Sequence, residues 1–385
     1  MATTALVRQG VRHAPRCNVA PPKLGSFDAV VLGSGVSTAV PQLSHILQGH
    51  CETAKAVRKA DGLTVCEDAH QNPSSKNRRF NVSLLLRYSP PDGSRVRHVM
   101  VDAGKTLRQA ALAALPQYGV RNIDALLVTH GHADAMLGMD DLRDLQVIEK
   151  FWSESGEHIG YQLADGAGPM QIISNKVTLD RVREAFPYLD GNTDFVRPGV
   201  LRRRIAYIEF MEVSDDETMD LVGGLPLRVF PVWHGGTYVS LGFAFGGKLK
   251  GGYPLVYISD IKDVPPKTMS FLEEAAAVGI DLFMVDALSR SGHPTHMSLD
   301  EALELVRKLR PKRTLLVGMD SCAMGDHDEV NEELRALQRE GLDVQLAFDG
   351  QHLPEFPARD SSDNPGNRKH EQPDAKRLRG DKSAL

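Results

Sequence analysis

A mixed α/β fold is predicted by three features of this 385-residue chain. From Pro265 onward the pattern alternates between amphipathic helices and short apolar strands. Before that point, runs such as Phe80–Tyr88, His98–Gly104 and Leu225–Trp233 read as strands separated by Gly- and Pro-rich turns. Several strands then end in residues that carry chemistry. Foremost is Leu126-Leu-Val-Thr-His130-Gly-His132-Ala-Asp134, an apolar run closing on two histidines and a carboxylate at alternate positions. Imidazole and carboxylate are preferred ligands of zinc and its borderline-soft neighbours, and a loop leaving a strand end can turn all three toward one ion. This stretch predicts a metal site.

Bulk composition narrows the alternatives. The chain is 42% hydrophobic and 25% charged, with a formal net charge of −5. No apolar run approaches the roughly 20 residues of a membrane-spanning helix, so a soluble protein is expected, with no membrane partner. The charge supplies no basic field, and general nucleic-acid binding is not indicated. Four cysteines (Cys17, Cys51, Cys66, Cys322) are too few for a disulfide framework, which suits a reducing compartment.

Residues 1–27 form a leader containing Arg8, Arg12, Arg16 and Lys23 and no acid. Such a leader is compatible with an organelle transit peptide, plastid or mitochondrial, and equally with an untargeted extension of a cytoplasmic protein. Ala29–Gly35 reads as a first strand entering a glycine turn. Gly33-Ser-Gly35 is not a dinucleotide loop, because β-branched residues and Pro41 follow it instead of a third glycine and a helix. Residues 42–78 are polar and irregular; His45, His50, Cys51, Cys66 and His70 lie there without a Cys-x-x-Cys pair, so a metal-free loop is the preferred reading. Phe80–Tyr88 and His98–Gly104 are neighbouring strands joined by a turn over Pro90–Ser94, with Asp102 at a strand end. Thr106–Pro116 is helical, Ile123–Val128 is the strand feeding the histidine loop, and Ala133–Gln146 follows as one helix. Arg143 on that helix is within reach of an anionic substrate.

Residues 150–205 are the least regular and are expected to be an insertion roofing the site, with a helix over Val177–Phe186. Strands resume at Ile205–Val213, Leu225–Trp233, Tyr238–Phe245 and Tyr253–Ile258. Two of these end in chemistry, at His234 before a double glycine and at Asp260. A helix over Pro265–Val278 and a strand over Ile280–Val285 lead to Asp286. Ser298-Leu-Asp-Glu301 is a capping box opening the helix Leu299–Leu309. A strand at Arg313–Gly318, a helix at Val330–Glu340 and a last strand at Val344–Phe348 complete a domain over 28–355. The tail 356–385 is polar and nearly free of large apolar residues, and disorder is expected there. Its Lys376–Lys382 segment reads as a solvated charge run.

With His130, His132, Asp134, His234 and Asp260 in this order, the chain resembles the metallo-β-lactamase fold superfamily over about residues 28–350. More narrowly it resembles the branch typified by the phosphodiesterase of the carbon–phosphorus lyase pathway, which acts on cyclic ribose phosphates. Leu32-Gly-Ser-Gly-Val-Ser-Thr-Ala-Val-Pro, Val101-Asp-Ala-Gly104, Tyr257-Ile-Ser-Asp260 and His296-Met-Ser-Leu-Asp-Glu-Ala-Leu carry that likeness. The resemblance implies a four-layer αββα sandwich with a metal site at the edge between two sheets. It implies His130, His132, His234 and the bridging Asp260 as ligands of a first divalent metal, zinc or manganese, with iron a further option. For a second metal it implies Asp134, Asp260, a histidine beside Asp134 and a late strand-end histidine. Ala135 occupies the former position, and Val317-Gly-Met-Asp320-Ser321 has no histidine at the latter. Asp320 or His327 is left as a substitute. One firm site and a doubtful second one are therefore expected.

The resemblance implies hydrolysis of a small phosphodiester by metal-bound hydroxide. His296 and Asp134 would be catalytic, His296 as proton donor, and Asp102 would orient the loop holding His130 and His132. Asp286 has no assigned role, and a homodimer is compatible with the sequence. Alternatives are another hydrolase of this fold, acting on a thioester, lactone or RNA end, and a degenerate scaffold that binds metal without turnover. Ala135 and the histidine-free strand end favour the scaffold, and the complete first ligand set favours the enzyme. An iron-based oxidoreductase lacks a flavin or thiol partner site.

Overall fold

The structure, a computed structural model, describes residues 19–49, 51, 57–58, 61–152, 156, 158–164, 167–189, 206–247 and 251–358. Residues 1–18 of the leader, the tail from 359 and the basic 376–382 run therefore lie outside the described residues.

In chain order the strands are β1 (Ser26–Gly33), β2 (Ser83–Ser89), β3 (Arg97–Val101), β4 (Ala125–Leu127), β5 (Ile148–Trp152), β6 (His158–Leu163), β7 (Met170–Ser174) and β8 (Ile208–Glu212). They continue with β9 (Thr218–Leu221), β10 (Leu225–Trp233), β11 (Val239–Phe245), β12 (Tyr253–Ile258), β13 (Ile280–Asp286), β14 (Arg313–Val317), β15 (Val344–Leu346) and β16 (His352–Pro357). The helices are α1 (Leu43–Gln48), α2 (Val65–Gln71), α3 (Leu107–Ala114), α4 (Ala133–Met136), α5 (Lys176–Ala185), α6 (Pro266–Val278), α7 (Leu299–Leu309) and α8 (His327–Leu334).

Two seven-stranded sheets result, ordered β16-β1-β2-β3-β4-β7-β8 and β15-β14-β13-β12-β11-β10-β9. Alternation along each strand explains why they face each other. In β1, Phe27, Ala29 and Val31 point to an apolar layer shared with Leu255 and Tyr257 of β12, while Val30 and Leu32 point outward to α3 residues such as Leu107 and Ala110. In β14, Leu315 and Val317 face the shared layer and Leu316 packs with α7. Strands buried on both faces read as continuous apolar runs, and every residue of β1, β2 and β12 is buried. The helices cover the outer faces, giving the expected αββα sandwich.

Helix α7 shows how local sequence fixes position. Ser298 and Glu301 form both bonds of the capping box. Leu299, Ala302, Leu303, Val306 and Leu309 recur at helical spacing and are buried. Each large side chain there contributes about 1.5–3 kcal/mol by leaving water.

Strand direction places the site. In the second sheet β10 runs antiparallel to β11, and β11 to β12, so β10 and β12 point the same way; β13 and β14 lie parallel to β12. In the first sheet β4 lies parallel to β3 and β7. Leu241 N–H donates to Thr129 O across the sheets at 2.9 Å. The C-terminal ends of β4, β10, β12 and β13 are therefore gathered at one edge of the sandwich, where open α/β sheets present ligands.

Several boundaries differ from expectation. Within 150–205, β7 is an internal member of the first sheet, between β4 and the edge strand β8, whereas the β5–β6 hairpin stands outside both sheets. Residues 190–205 fall outside the described ones. The helix expected over 133–146 breaks after one turn into a 3-10 segment at Met139–Leu145. At the break Gly138 N–H donates to Ala103 O instead of back along the helix, and glycine is needed there because a side chain would collide with Gly104 O. Strands β9 and β16 carried no periodicity long enough to announce them. Cys51 and Cys322, 271 residues apart, are disulfide-bonded, which removes the cysteine argument for a reducing compartment. Among the described residues, no helix is long and apolar enough to cross a membrane.

Candidate metal centre

His130, on the loop leaving β4, is buried to 1% exposure and is the anchor of the centre. Its Nδ1 lies 2.8 Å from Thr129 Oγ1, and Thr129 is in turn held by Asp102: N–H to Oδ1 at 2.8 Å, hydroxyl to Oδ2 at 2.9 Å. With the Thr129 hydroxyl donating to Asp102, His130 must donate from Nδ1, which leaves the lone pair on Nε2. That Nε2 is buried and has no hydrogen-bond partner. It lies 4.0 Å from both Asp134 Oδ1 and Asp260 Oδ1. Burial pulls His130 down to about 3, so the ring is neutral.

The other imidazoles converge on the same point. The His130 ring is 4.6 Å from His132 and 5.0 Å from His234, and ligand-capable atoms of the three lie within 4.8 Å of one another. His234, delivered by the end of β10, has Nδ1 fixed on Thr295 O at 2.9 Å, leaving Nε2 for the centre. His132 is exposed at the mouth and stacks on Tyr238, with centroids 4.7 Å apart and planes 11° off parallel. Tyr238 OH accepts from Gly131 N–H at 3.2 Å, tying this wall to the loop. Burial opposes ionisation of Asp260, and the imidazoles of His130, His234 and His296 outweigh it, carrying it to about 2. Asp134, in the first turn of α4, is pushed up to about 6 by burial and then by the Asp260 charge. Glycine is required at 104, because a Cβ there would collide with Asp134 O.

On the other side stands a second unit. His296 Nδ1 lies 2.7 Å from Asp286 Oδ2, and Asp286 is fully buried at the end of β13. Burial works against charge on His296, and contact with Asp286 outweighs it, raising it to about 9. The proton sits on the imidazole, with Asp286 as acceptor. The His296 ring is 4.7 Å from His234, so this proton stands beside the ligand cluster.

A buried partnerless imidazole nitrogen, two more imidazoles and a carboxylate fit a divalent ion of zinc type better than any arrangement within the protein. His130, His132, His234 and Asp260 would hold it. The structure does not bring Asp320 to them: Oδ2 accepts from Gln42 Nε2 at 2.7 Å and Oδ1 from Ala323 N–H at 3.3 Å. Its oxygens are engaged instead by Gln42, the residue preceding α1, and by the turn after β14. His327 is also elsewhere, buried at the start of α8 and bonded to Asn331. Arg143 pairs with Asp140 at 2.5 Å and is not directed at the cleft. Sequence reasoning missed Thr129, Tyr238 and Thr295 and left Asp286 without a role. Only the strand-end position of Asp286 signalled it.

Two facing mixed sheets with a His-x-His-x-Asp loop and further ligands from the opposite sheet define a metallo-β-lactamase-fold protein. The chain belongs to that superfamily: residues 97–319 match the family described as the β-lactamase superfamily domain. A crystal structure of a diphosphatase from the PhnP family is similar at 27% identity and a TM-score of 0.61, covering 87% of this chain and 100% of that one. Zn²⁺-bound PqqB from Methylobacterium extorquens is similar at 17% identity and a TM-score of 0.56, over 85% and 99% of the two chains. An octanoyltransferase of Porphyromonas gingivalis is 23% identical over 288 residues, 75% of this chain and 45% of that protein. The chain thus spans under half the length of that curated relative.

Proposed function

We propose that the protein is a metal-dependent hydrolase of phosphodiesters, with one zinc or manganese ion held by His130, His132, His234 and Asp260. The observation that carries this reading is the pairing of two units: a neutral imidazole cluster around the orphaned His130 Nε2, and the protonated His296–Asp286 pair beside it. A metal bound there supplies Lewis acidity toward a phosphoryl oxygen and acidifies a water.

The protein's own residues do the rest. Asp102, through Thr129, keeps His130 in the tautomer that presents Nε2. Thr295 does the same for His234. Asp134, held part-protonated near neutrality, is placed to take a proton from the attacking water. His296 holds a proton on Nε2, since Asp286 occupies Nδ1, and delivers it to the leaving oxygen. A protonated imidazole does not ligate a cation, so His296 acts as acid and not as a fifth ligand. The likeness to a PhnP-family diphosphatase supports a phosphoryl substrate. The likeness to part of an octanoyltransferase supports a second reading, in which the group cleaved is an acyl ester or thioester and not a phosphodiester.

The experiment is turnover by the full-length protein, reloaded with zinc or manganese, on bis(p-nitrophenyl) phosphate and an octanoyl thioester. Metal-dependent cleavage of the diester is the expected result. Cleavage of the thioester alone overturns the substrate class, and no cleavage of either leaves a binding scaffold.

A further inference from the structure

We infer that Arg181 anchors a second anionic group of the substrate, one phosphoryl group away from the bond that is cleaved. The inference deepens the phosphodiesterase reading and rests on it for the identity of that bond, though not for the anion itself.

Helix α5 buries Thr178, Leu179 and Val182 against β7 and leaves Arg181 at the border of that face, exposed toward the mouth. Its aliphatic arm lies directly over the peptide between the two loop histidines. A Cβ added at Gly131 would stand 2.8 Å from Arg181 Cδ and 3.5 Å from Cβ and Cγ. Gly131 is thus the one residue in the His-x-His loop whose missing side chain makes room for an arginine.

Gly131 sits between His130 and His132 and donates its N–H to Tyr238 OH at 3.2 Å, so the Arg181 arm lies beside His132 and Tyr238. Those two rings form the stacked wall of the mouth. Among the described residues no carboxylate pairs with Arg181. Its neighbours on the same helix differ: Lys176 and Arg183 both reach Asp180. Arg143, placed by sequence as the candidate anion-binding residue, is neutralised by Asp140.

An exposed arginine that has no carboxylate partner among the described residues, and whose arm lies over the ligand loop, can offer its five donors to a phosphate. Two donors in a fixed fork engage phosphate or carboxylate bidentately, a geometry lysine cannot reproduce. Lys105, exposed and following the Gly104 that packs against Asp134 O, adds a second cation near the mouth. A substrate bearing charge only at the scissile phosphorus has no use for Arg181. A diphosphate, with its second phosphoryl group one bridging oxygen farther along, does.

The test is calorimetric binding of inorganic pyrophosphate to the zinc-loaded full-length protein, with metal content measured on each preparation. Arg181→Ala should weaken binding about tenfold or more, with Arg181→Lys between it and wild type. Arg183→Ala, on the same helix, should leave binding unchanged. Metal content should be equal in all four. Equal affinity in wild type and Arg181→Ala, or an equal loss in Arg183→Ala, overturns the inference. Kinetics give a second readout: in Arg181→Ala, KM for diadenosine diphosphate should rise about tenfold while KM for bis(p-nitrophenyl) phosphate stays within about twofold. If wild type cleaves neither substrate, the phosphodiesterase reading falls, and pyrophosphate affinity alone still decides the role of Arg181.

Discussion

The two sides of the His130 cluster are built from the same kind of strand end and carry opposite contents. On one side β4, β10 and β12 deliver His130, His132, His234 and Asp260, and each imidazole whose other nitrogen is accounted for is fixed by Thr129 or Thr295. On the other, α4 offers Ala135 and the end of β14 offers Met319. Both are buried among apolar residues, Ala135 beside Met136 and Met139, Met319 beside Met297 and Leu316. A cleft lined by Gly35, Val36, Asp134, Ala135, Asp260 and His296 remains there without a fourth nitrogen. The comparison teaches that the hydrogen bonds fixing imidazole tautomers stand on the nitrogen-rich side, while the apolar side offers an ion little beyond Asp134 and Asp260. A clamp on both attacking and leaving oxygens needs two ions; with one, the leaving side falls to a proton donor, and His296–Asp286 is the group in place to serve.

The largest effect that would break this comparison is expected at His132. It is exposed, so His132→Ala removes a ligand with little cost to packing. Metal content by plasma mass spectrometry should fall from about one ion per chain to well below one, and turnover should fall on the order of a thousandfold. Two ions per wild-type chain would show that the apolar side still binds metal.

Asp286→Asn comes next and addresses the acid directly. Asp286 raises His296 to about 9. A group required in its protonated form loses activity as pH rises through its pKa, so the alkaline limb of the wild-type profile should lie high. Without that carboxylate only Asp260 and Asp134 oppose the effect of burial, and His296 falls from its raised value. The alkaline limb should then move to lower pH, with kcat at pH 8 falling about 10–100-fold and less at pH 6. An unshifted limb would assign the proton to another group.

How much of this was legible beforehand follows from where each signal resides. The ligand loop was legible because strand-end spacing is local: His130, His132 and Asp134 are adjacent in sequence, and His234 and Asp260 each end an apolar run. Asp286 was visible as a strand end, but its role depends on His296 meeting it 10 residues later across a loop. Arg181 could not be read at all, because its meaning lies in contact with Gly131, 50 residues away on the loop after β4. Asp320 shows the complementary case: its position just after β14 suits a ligand, while its orientation is set by Gln42, distant in sequence. Likewise β9 and β16 are short edge strands whose partners, and not their own periodicity, define them.

A third prediction sets the cluster against a histidine at the far side of the second sheet. His327 is neutral because of its partners, not because of a metal. Leu346 N–H donates to Asn331 Oδ1 at 2.8 Å, which turns the Asn331 amide nitrogen to His327 Nε2 at 2.9 Å and forbids a proton there. Burial, followed by the Arg79 and Lys76 charges, pulls His327 down to about 3. A histidine depressed in the folded state contributes stability above its unfolded pKa, about 6.5, and that stability is lost as pH falls below it. Between pH 7 and pH 5 this one residue should account for about 2 kcal/mol of lost stability. Urea unfolding at the two pH values should show a difference smaller by that amount in His327→Gln. Equal slopes in the two proteins would mean that His327 is protonated in the folded state.

The smallest expected effect is the sharpest test of the asymmetry. Asp320 occupies the strand-end position at which a second-site ligand would have to stand, yet its oxygens accept from Gln42, Ser321 and Ala323. If that geometry governs, Asp320→Ala costs only those bonds, about 1 kcal/mol of stability. The cost should appear as a lower urea midpoint, with metal content unchanged and turnover within about twofold of wild type. A ligand behaves otherwise: its removal lowers metal content first and stability through the metal. Should Asp320→Ala shed metal, the carboxylate must swing from Gln42 into the cleft when an ion binds, and the apolar side would count as a second site held closed by that one hydrogen bond. Gln42→Ala separates the two cases, because releasing Asp320 should then raise metal content, and otherwise leave it unchanged.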